Sequence, residues 1–172
     1  MESWAEKYRP ESLSDLIGNT KTINDLKNWA NSWGNKTTKK GVILSGPPGC
    51  GKTSAAIGLA NDMGWGIVEL NASDTRSGAV IEGIALRAGL FQTFGNEGIS
   101  SRNLILLDEA DNLYERAEQS KKKVKNYSDR GGKKAIAKTL ELTKQPVVIT
   151  VNDLYNLTKG TGSKIKRLAL TL

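Results

Sequence analysis

The chain has 172 residues, 38 % of them hydrophobic and 25 % charged, a balance that suits one globular unit with its own core. It has no histidine, which excludes imidazole acid–base chemistry and His-ligated metals; its one cysteine, Cys50, excludes an internal disulfide and fits a reducing cytosol or nucleus. No apolar run approaches the roughly 20 residues of a membrane span, and the charged start MESWAEKYRP lacks the apolar stretch of a secretion signal.

In chain order, residues 21–33 (KTINDLKNWANSW) set Ile23, Leu26, Trp29, Ala30 and Trp33 at helical spacing and predict a helix. GVILS (41–45) is apolar at odd and even positions alike, the mark of a strand covered on both faces. GIVEL (66–70), NLILLD (103–108) and PVVITVN (146–152) share that pattern, and KRLALTL (166–172) reads as a fifth strand. Helices are predicted over 52–63 and 131–143, with a glycine-weakened one over 77–95. The intervening lengths suit crossover helices, so the plan is three-layer α/β with a five-stranded parallel sheet. Residues 1–40 read as an N-terminal segment and helix before a core over 41–172. No internal repeat is visible. The sequence stops on an apolar strand with no closing helix, as expected of a piece of something longer.

The net charge of +7 is concentrated in KKKVKNYSDRGGKK (121–134), where seven cations face one acid, Asp129. Such a block is either a phosphate-binding patch or a solvated loop.

GPPGCGKT (46–53) fits G-x-x-x-x-G-K-[ST] and lies between a predicted strand and a predicted helix. Gly46, Gly49 and Gly51 let backbone N–H groups turn toward a polyphosphate. Lys52 is placed to reach the β- and γ-phosphates, and Thr53 to ligate Mg²⁺. The nucleotide contacts expected of the loop are Gly46, Pro47, Pro48, Gly49, Cys50, Gly51, Lys52, Thr53 and Ser54, with Cys50 a small filler rather than a nucleophile.

LILLDEAD (104–111) then brings two carboxylates to the C-terminal edge of the sheet, where α/β folds bind ligands. Asp108 is expected in the Mg²⁺ shell and Glu109 as the base for a lytic water. Asn152, closing PVVITVN, is either a γ-phosphate contact or a plain turn residue. Asn71, closing VELN, is either an Asx turn or a partner that holds Glu109 idle. Both a strand-separating helicase and a ring-forming ATPase end a strand in this way.

The motifs decide between these. WAEKYRPESLSDLIGN, GPPGCGKTS, ELNASDTRSG, LILLDEADNL, DRGGKKAI and QPVVITVND occur in an order that resembles the large subunits of replication factor C, AAA+ sliding-clamp loaders, in their archaeal form. The resemblance covers nearly the whole chain. DEAD-type helicases open their phosphate loop with A-x-x-G-x-G-K-T and carry S-A-T after the acidic strand; this loop opens Gly46-Pro47-Pro48-Gly49, and ITVND stands where a sensor Asn belongs.

The resemblance implies ATP and Mg²⁺ as cofactors. It further implies a hetero-oligomer with small subunits, a sliding clamp opened and set on primer–template DNA, and hydrolysis that releases it. By resemblance, Tyr8, Pro10 and Ile17 lie near the adenine. Arg76, Arg130, Lys133 and Lys134 contact DNA phosphates; Leu90, Phe91 and Phe94 contact the clamp, with core packing as the alternative. Ser163-Lys164-Ile165 stands where small subunits carry Ser-Arg-Cys. This departure implies an arginine borrowed from a neighbour and feeble ATPase from the chain alone. By the same resemblance the lid and collar domains are expected to be missing from this sequence, and residues 114–130 read as a long, basic, flexible insertion. The setting is the archaeal cytoplasm, or the nucleus in a eukaryote. A nucleotide-gated DNA-binding module with little hydrolysis is the alternative.

Overall fold

The computed structural model describes residues 10–36, 38–71, 102–111 and 132–172. Within them lie five strands, β1 (Gly41–Ser45), β2 (Gly66–Asn71), β3 (Asn103–Asp108), β4 (Val147–Val151) and β5 (Ala169–Thr171). The helices are α1 (Thr20–Ser32), α2 (Lys52–Asp62), α3 (Gly132–Leu142), α4 (Leu154–Thr158) and α5 (Ser163–Leu168). The strands form one sheet in the order β2-β3-β4-β1-β5, every pairing parallel.

For β1, β3 and β4 the two-parity apolar pattern has a direct structural meaning; β2, read the same way in GIVEL, is instead an edge strand of the described sheet, with Gly66, Ile67 and Glu69 exposed. Val42, Leu44, Leu104, Leu106 and Val148 face a layer built by α1 and α2 through Leu26, Trp29, Ala30, Ala56, Leu59 and Ala60. Their chain neighbours Ile43, Ile105, Leu107, Val147, Ile149 and Val151 face the opposite layer, where α3, α4 and α5 supply Ile136, Leu140, Leu157 and Ile165. Adjacent strand residues point to opposite faces, so only a strand sandwiched between two helical layers needs apolar side chains at every position.

Two local devices tie the N-terminal segment down. Ser12 and Asp15 form a capping box around the short 3-10 turn Leu13–Asp15. The far end of α2 then holds that turn, with Asp62 Oδ2 accepting from the Leu13 N–H at 3.2 Å and Asn61 Nδ2 donating to the Glu11 carbonyl at 2.8 Å. Gly58 permits the approach, since a Cβ there would lie 2.9 Å from the Ser12 carbonyl carbon.

The fifth strand is shorter than the sequence reading. Lys166, Arg167 and Leu168 belong to α5, and only Ala169–Thr171 pairs with β1. Ile165 and Leu168 are three residues apart and pack on the α3 side of the sheet, while Lys164, Lys166 and Arg167 stay exposed. That spacing is helical, and the two cations in the last turn suit the negative end of a helix. The helix expected over 77–95 and the insertion over 114–130 lie outside the described residues. Among the described residues, no helix is long and apolar enough to cross a membrane.

Candidate nucleotide-binding and hydrolysis site

Strands β3, β4 and β1 are neighbours in the sheet, so their C-terminal loops are neighbours too. The register aligns Leu107 with Ile149, and Ile149 with Ile43. One step further along, the strands release Asp108 and Glu109, Asn152, and the glycine loop at a single edge. That adjacency converts three separated motifs into one site.

The loop has the backbone its glycines allow. Gly49 and Gly51 sit at φ +78° and +92°, in the left-handed region. α2 begins at Lys52, and no side chain caps its N-terminus through Gly51. The first amides of a helix lack intrahelical partners and carry the positive end of its dipole, so this terminus suits an anion.

Lys52 shows how the loop satisfies itself. Its Nζ donates to the Gly46 and Pro47 carbonyls, both at 2.8 Å, and to Asn152 Oδ1 at 3.0 Å. One ammonium thus spans the loop and the end of β4. Across the cleft, Thr53 Oγ1 donates to Asp108 Oδ1 at 2.9 Å. A hydroxyl and a carboxylate from two elements, already within hydrogen-bond distance, are donors of the type Mg²⁺ takes alongside phosphate oxygens. The residues present therefore fit the cation.

Two clefts meet at the loop. One, of about 240 Å³, is lined by Lys52, Thr53, Ser54, Asp108, Glu109 and Asn152, with Pro48, Gly49, Gly51 and Thr150. The other, of about 390 Å³, runs from Leu16, Ile17 and Ile23 to Gly46, Pro47, Cys50 and Ala55. Ile17 is fully solvent-exposed at 102 %, an apolar side chain at the edge of a cleft with apolar walls. A polyphosphate fits the first and a flat heterocycle the second. Pro10 is not among the residues lining the second cleft, and Tyr8 lies outside the described residues.

Two residues that hold the site's elements together escaped sequence reasoning. Thr150 Oγ1 donates to Asp108 Oδ1 at 2.5 Å and accepts the Glu109 N–H at 2.9 Å, holding both acids from β4. Asp111 is 7 % exposed, and its Oδ2 accepts the N–H groups of Asn152 at 3.0 Å and Asp153 at 3.1 Å. The only sequence signal for Thr150 is a hydroxyl inside the otherwise apolar VVITV. For Asp111 it is a third acid in DEAD, two residues beyond the pair read as functional. Asn71 registers opposite Asp108 at the end of β2, one position before Glu109.

Of the residues expected to meet DNA, Lys133 and Lys134 lie among the described residues. Arg76 and Arg130 lie outside the described residues, as do Leu90, Phe91 and Phe94. Lys134 is exposed on α3. Lys133 is 8 % exposed and its Nζ donates to the Lys159 carbonyl at 2.9 Å, so its charge is turned inward in this structure. Gly132–Leu142 turns Lys133 inward with Ile136, three positions on.

Burial, then the nearby Lys159 charge, hold the Lys133 pKa below its ordinary 10.5. The folded state therefore binds that proton less tightly than the unfolded chain does. The penalty for the buried charge is present below the folded pKa and is relieved as pH rises through it toward 10.5. Lys133→Met is expected to gain most over the wild type near neutral pH and progressively less toward pH 10.5. Urea unfolding of both proteins across that range measures this; a pH-independent difference would refute it.

A glycine loop with Lys and Thr, an acidic pair on a neighbouring strand and a polar strand end together define a P-loop ATPase site. The chain belongs to the ATPase family associated with various cellular activities (AAA), which it matches over residues 42–167. Residues 1–82 also match the Rad17 P-loop domain. The chain is 45 % identical over 161 residues to the replication factor C large subunit of Methanococcoides burtonii, covering 93 % of this chain and 30 % of that protein. It is 48 % identical over 156 residues to that of Methanocella arvoryzae, covering 91 % of this chain and 26 % of that one. The resemblance read in the sequence is borne out, and the chain spans less than a third of these relatives' length. The fold is that of AAA domains: a Thermotoga maritima RuvB structure aligns with TM-score 0.62 at 18 % identity over 96 % of this chain and 48 % of its own. A katanin structure aligns with 0.63 at 19 % over 100 % and 60 %.

Proposed function

We propose that residues 1–172 are the AAA+ nucleotide-binding domain of a replication factor C large subunit. In this reading, ATP binding drives the assembled loader to open a sliding clamp and set it on primer–template DNA, and hydrolysis drives release. The observation that carries it is the convergence of Lys52, Thr53, Asp108, Glu109 and Asn152 on one cleft that adjoins a second, apolar-walled one.

Each residue has a task set by its place. Lys52 exchanges the loop carbonyls and Asn152 for phosphate oxygens when nucleotide enters. The released Asn152 amide then meets the γ-phosphate or the attacking water. Glu109 accepts the proton of that water. Thr53 and Asp108 hold Mg²⁺, which when bound offsets charge developing on the phosphates.

Lys164, at the position where small subunits carry arginine, lies 2.7 Å from Glu141 in an exposed ion pair. The missing arginine is supplied to this site in trans by a small subunit. Lys134, with Arg76 and Arg130, follows DNA phosphates, and Leu90, Phe91 and Phe94 anchor the clamp. The work takes place with the DNA in the cytoplasm of an archaeal cell.

The test is ATP turnover with clamp and primed DNA, with and without archaeal small subunits. An arginine supplied in trans is worth about 10³–10⁵ in rate, so turnover should appear only in the assembly. Equal turnover by the chain alone would defeat this reading.

A further inference from the structure

The acidic turn and the end of β4 are joined at more points than the chemistry of Asp108 and Glu109 requires. The Glu109 N–H donates to Thr150 Oγ1, and the Ala110 N–H to the Thr150 carbonyl, both at 2.9 Å. Glu109 itself holds φ +51°, uncommon for a residue with a side chain. The next residue but one, Asp111, closes the turn onto the two backbone amides that follow β4. Its second oxygen, Oδ1, is buried and has no hydrogen-bond partner among the described residues. A buried polar atom left unmatched is costly. Against that cost stand the contacts the carboxylate does make, to the backbone amides of Asn152 and Asp153.

We propose that Asp111 is a positioning residue for Asn152. It fixes the backbone from which the Asn152 amide reaches the phosphate cleft, so that the turn carrying Glu109 and the polar end of β4 move as one unit. The geometry is specific. Two consecutive N–H groups converge on one oxygen, and Asp153, the second donor, is the N-cap of α4 through its own bonds to the Tyr155 and Asn156 amides. The chain leaving Asn152 is thus held on both sides, by Asp111 before it and by α4 after it. With Asp111 removed, the Asn152 amide keeps its chemistry and loses its aim. Misplacement of about 1 Å is enough for a loss near 10²-fold in rate.

This inference rests on the hydrolytic reading of the site, and its test separates the two. Asp111→Ala, Asn152→Ala and the double variant are compared for binding of ADP and AMP-PNP, and for turnover in the assembled complex. Asp111→Ala should leave ADP affinity unchanged, lower the preference for AMP-PNP about tenfold, and reduce turnover. In the Asn152→Ala background it should add nothing, because Asp111 acts only through the placement of the Asn152 side-chain amide. Asp111→Asn keeps an acceptor oxygen for the two amides, so it should recover most of the preference. Losses that multiply, or equal weakening of ADP and AMP-PNP, would overturn the proposal. If Asp111→Ala does not fold, Asp111→Asn decides: a preference as poor as that of Asn152→Ala overturns it. Wild-type turnover that is absent, or indifferent to Glu109→Gln, would sink the hydrolytic reading, while the AMP-PNP preference would still judge Asp111.

Discussion

Glu109→Gln lowers ATP turnover of the assembled complex by about 10²–10⁴-fold, the usual worth of a positioned general base, and leaves binding of Mg·ATP in place. The expectation follows from what the substitution keeps. Glutamine has the same length and can still hydrogen-bond water, and its backbone N–H can still donate to Thr150 Oγ1. Only the capacity to take a proton is lost. Glu109 lines the same cleft as Lys52, Thr53 and Asn152, so a water set against the γ-phosphate lies within its reach. The measurement pairs steady-state phosphate release with equilibrium nucleotide binding. Turnover that survives would remove Glu109 from the chemistry. Affinity that falls in step with turnover would make it a binding residue.

Lys52→Ala weakens Mg·ATP binding by about 10–10²-fold, because one charge-assisted contact to phosphate is worth about 1.5–3 kcal/mol. The free protein should barely register the change. The partners Lys52 releases, two carbonyls and the Asn152 amide, lie at or near the surface of an open cleft, where water replaces the ammonium. The melting temperature without nucleotide is therefore unchanged, while the rise on adding Mg·ATP, which depends on ligand concentration relative to Kd, is reduced. Thermal unfolding with and without nucleotide reads both. A lower melting temperature in the absence of nucleotide would show that Lys52 also braces the empty loop.

Much of the fold was legible residue by residue. GVILS, NLILLD and PVVITVN announced strands covered on both faces, and the structure places their alternate residues in two separate cores. KRLALTL misled because its leucines and alanine fit either period over so short a run; the helix through Leu168 is decided by Ile165, which lies just before it and packs in the α3 layer. The two basic residues of GGKK looked alike as charges. Their separation into a buried Lys133 and an exposed Lys134 follows from the rotation of α3 against the sheet.

The sequence by itself determined the chemistry available: a loop whose glycines can turn amides inward, a lysine and threonine at a helix start, two carboxylates and an amide at strand ends. Those are properties of residue type and local spacing, and they survive without knowing what lies beside them. Tertiary structure alone decided which strand ends are neighbours, because sheet order depends on long-range pairing that no short stretch records. With β3, β4 and β1 side by side, Thr150 comes to hold Asp108, and Asp111 comes to hold the backbone of Asn152. Their roles lie in contacts more than 40 residues apart in the chain, which is why a hydroxyl in an apolar strand and a third acid in a turn carried no visible message of their own.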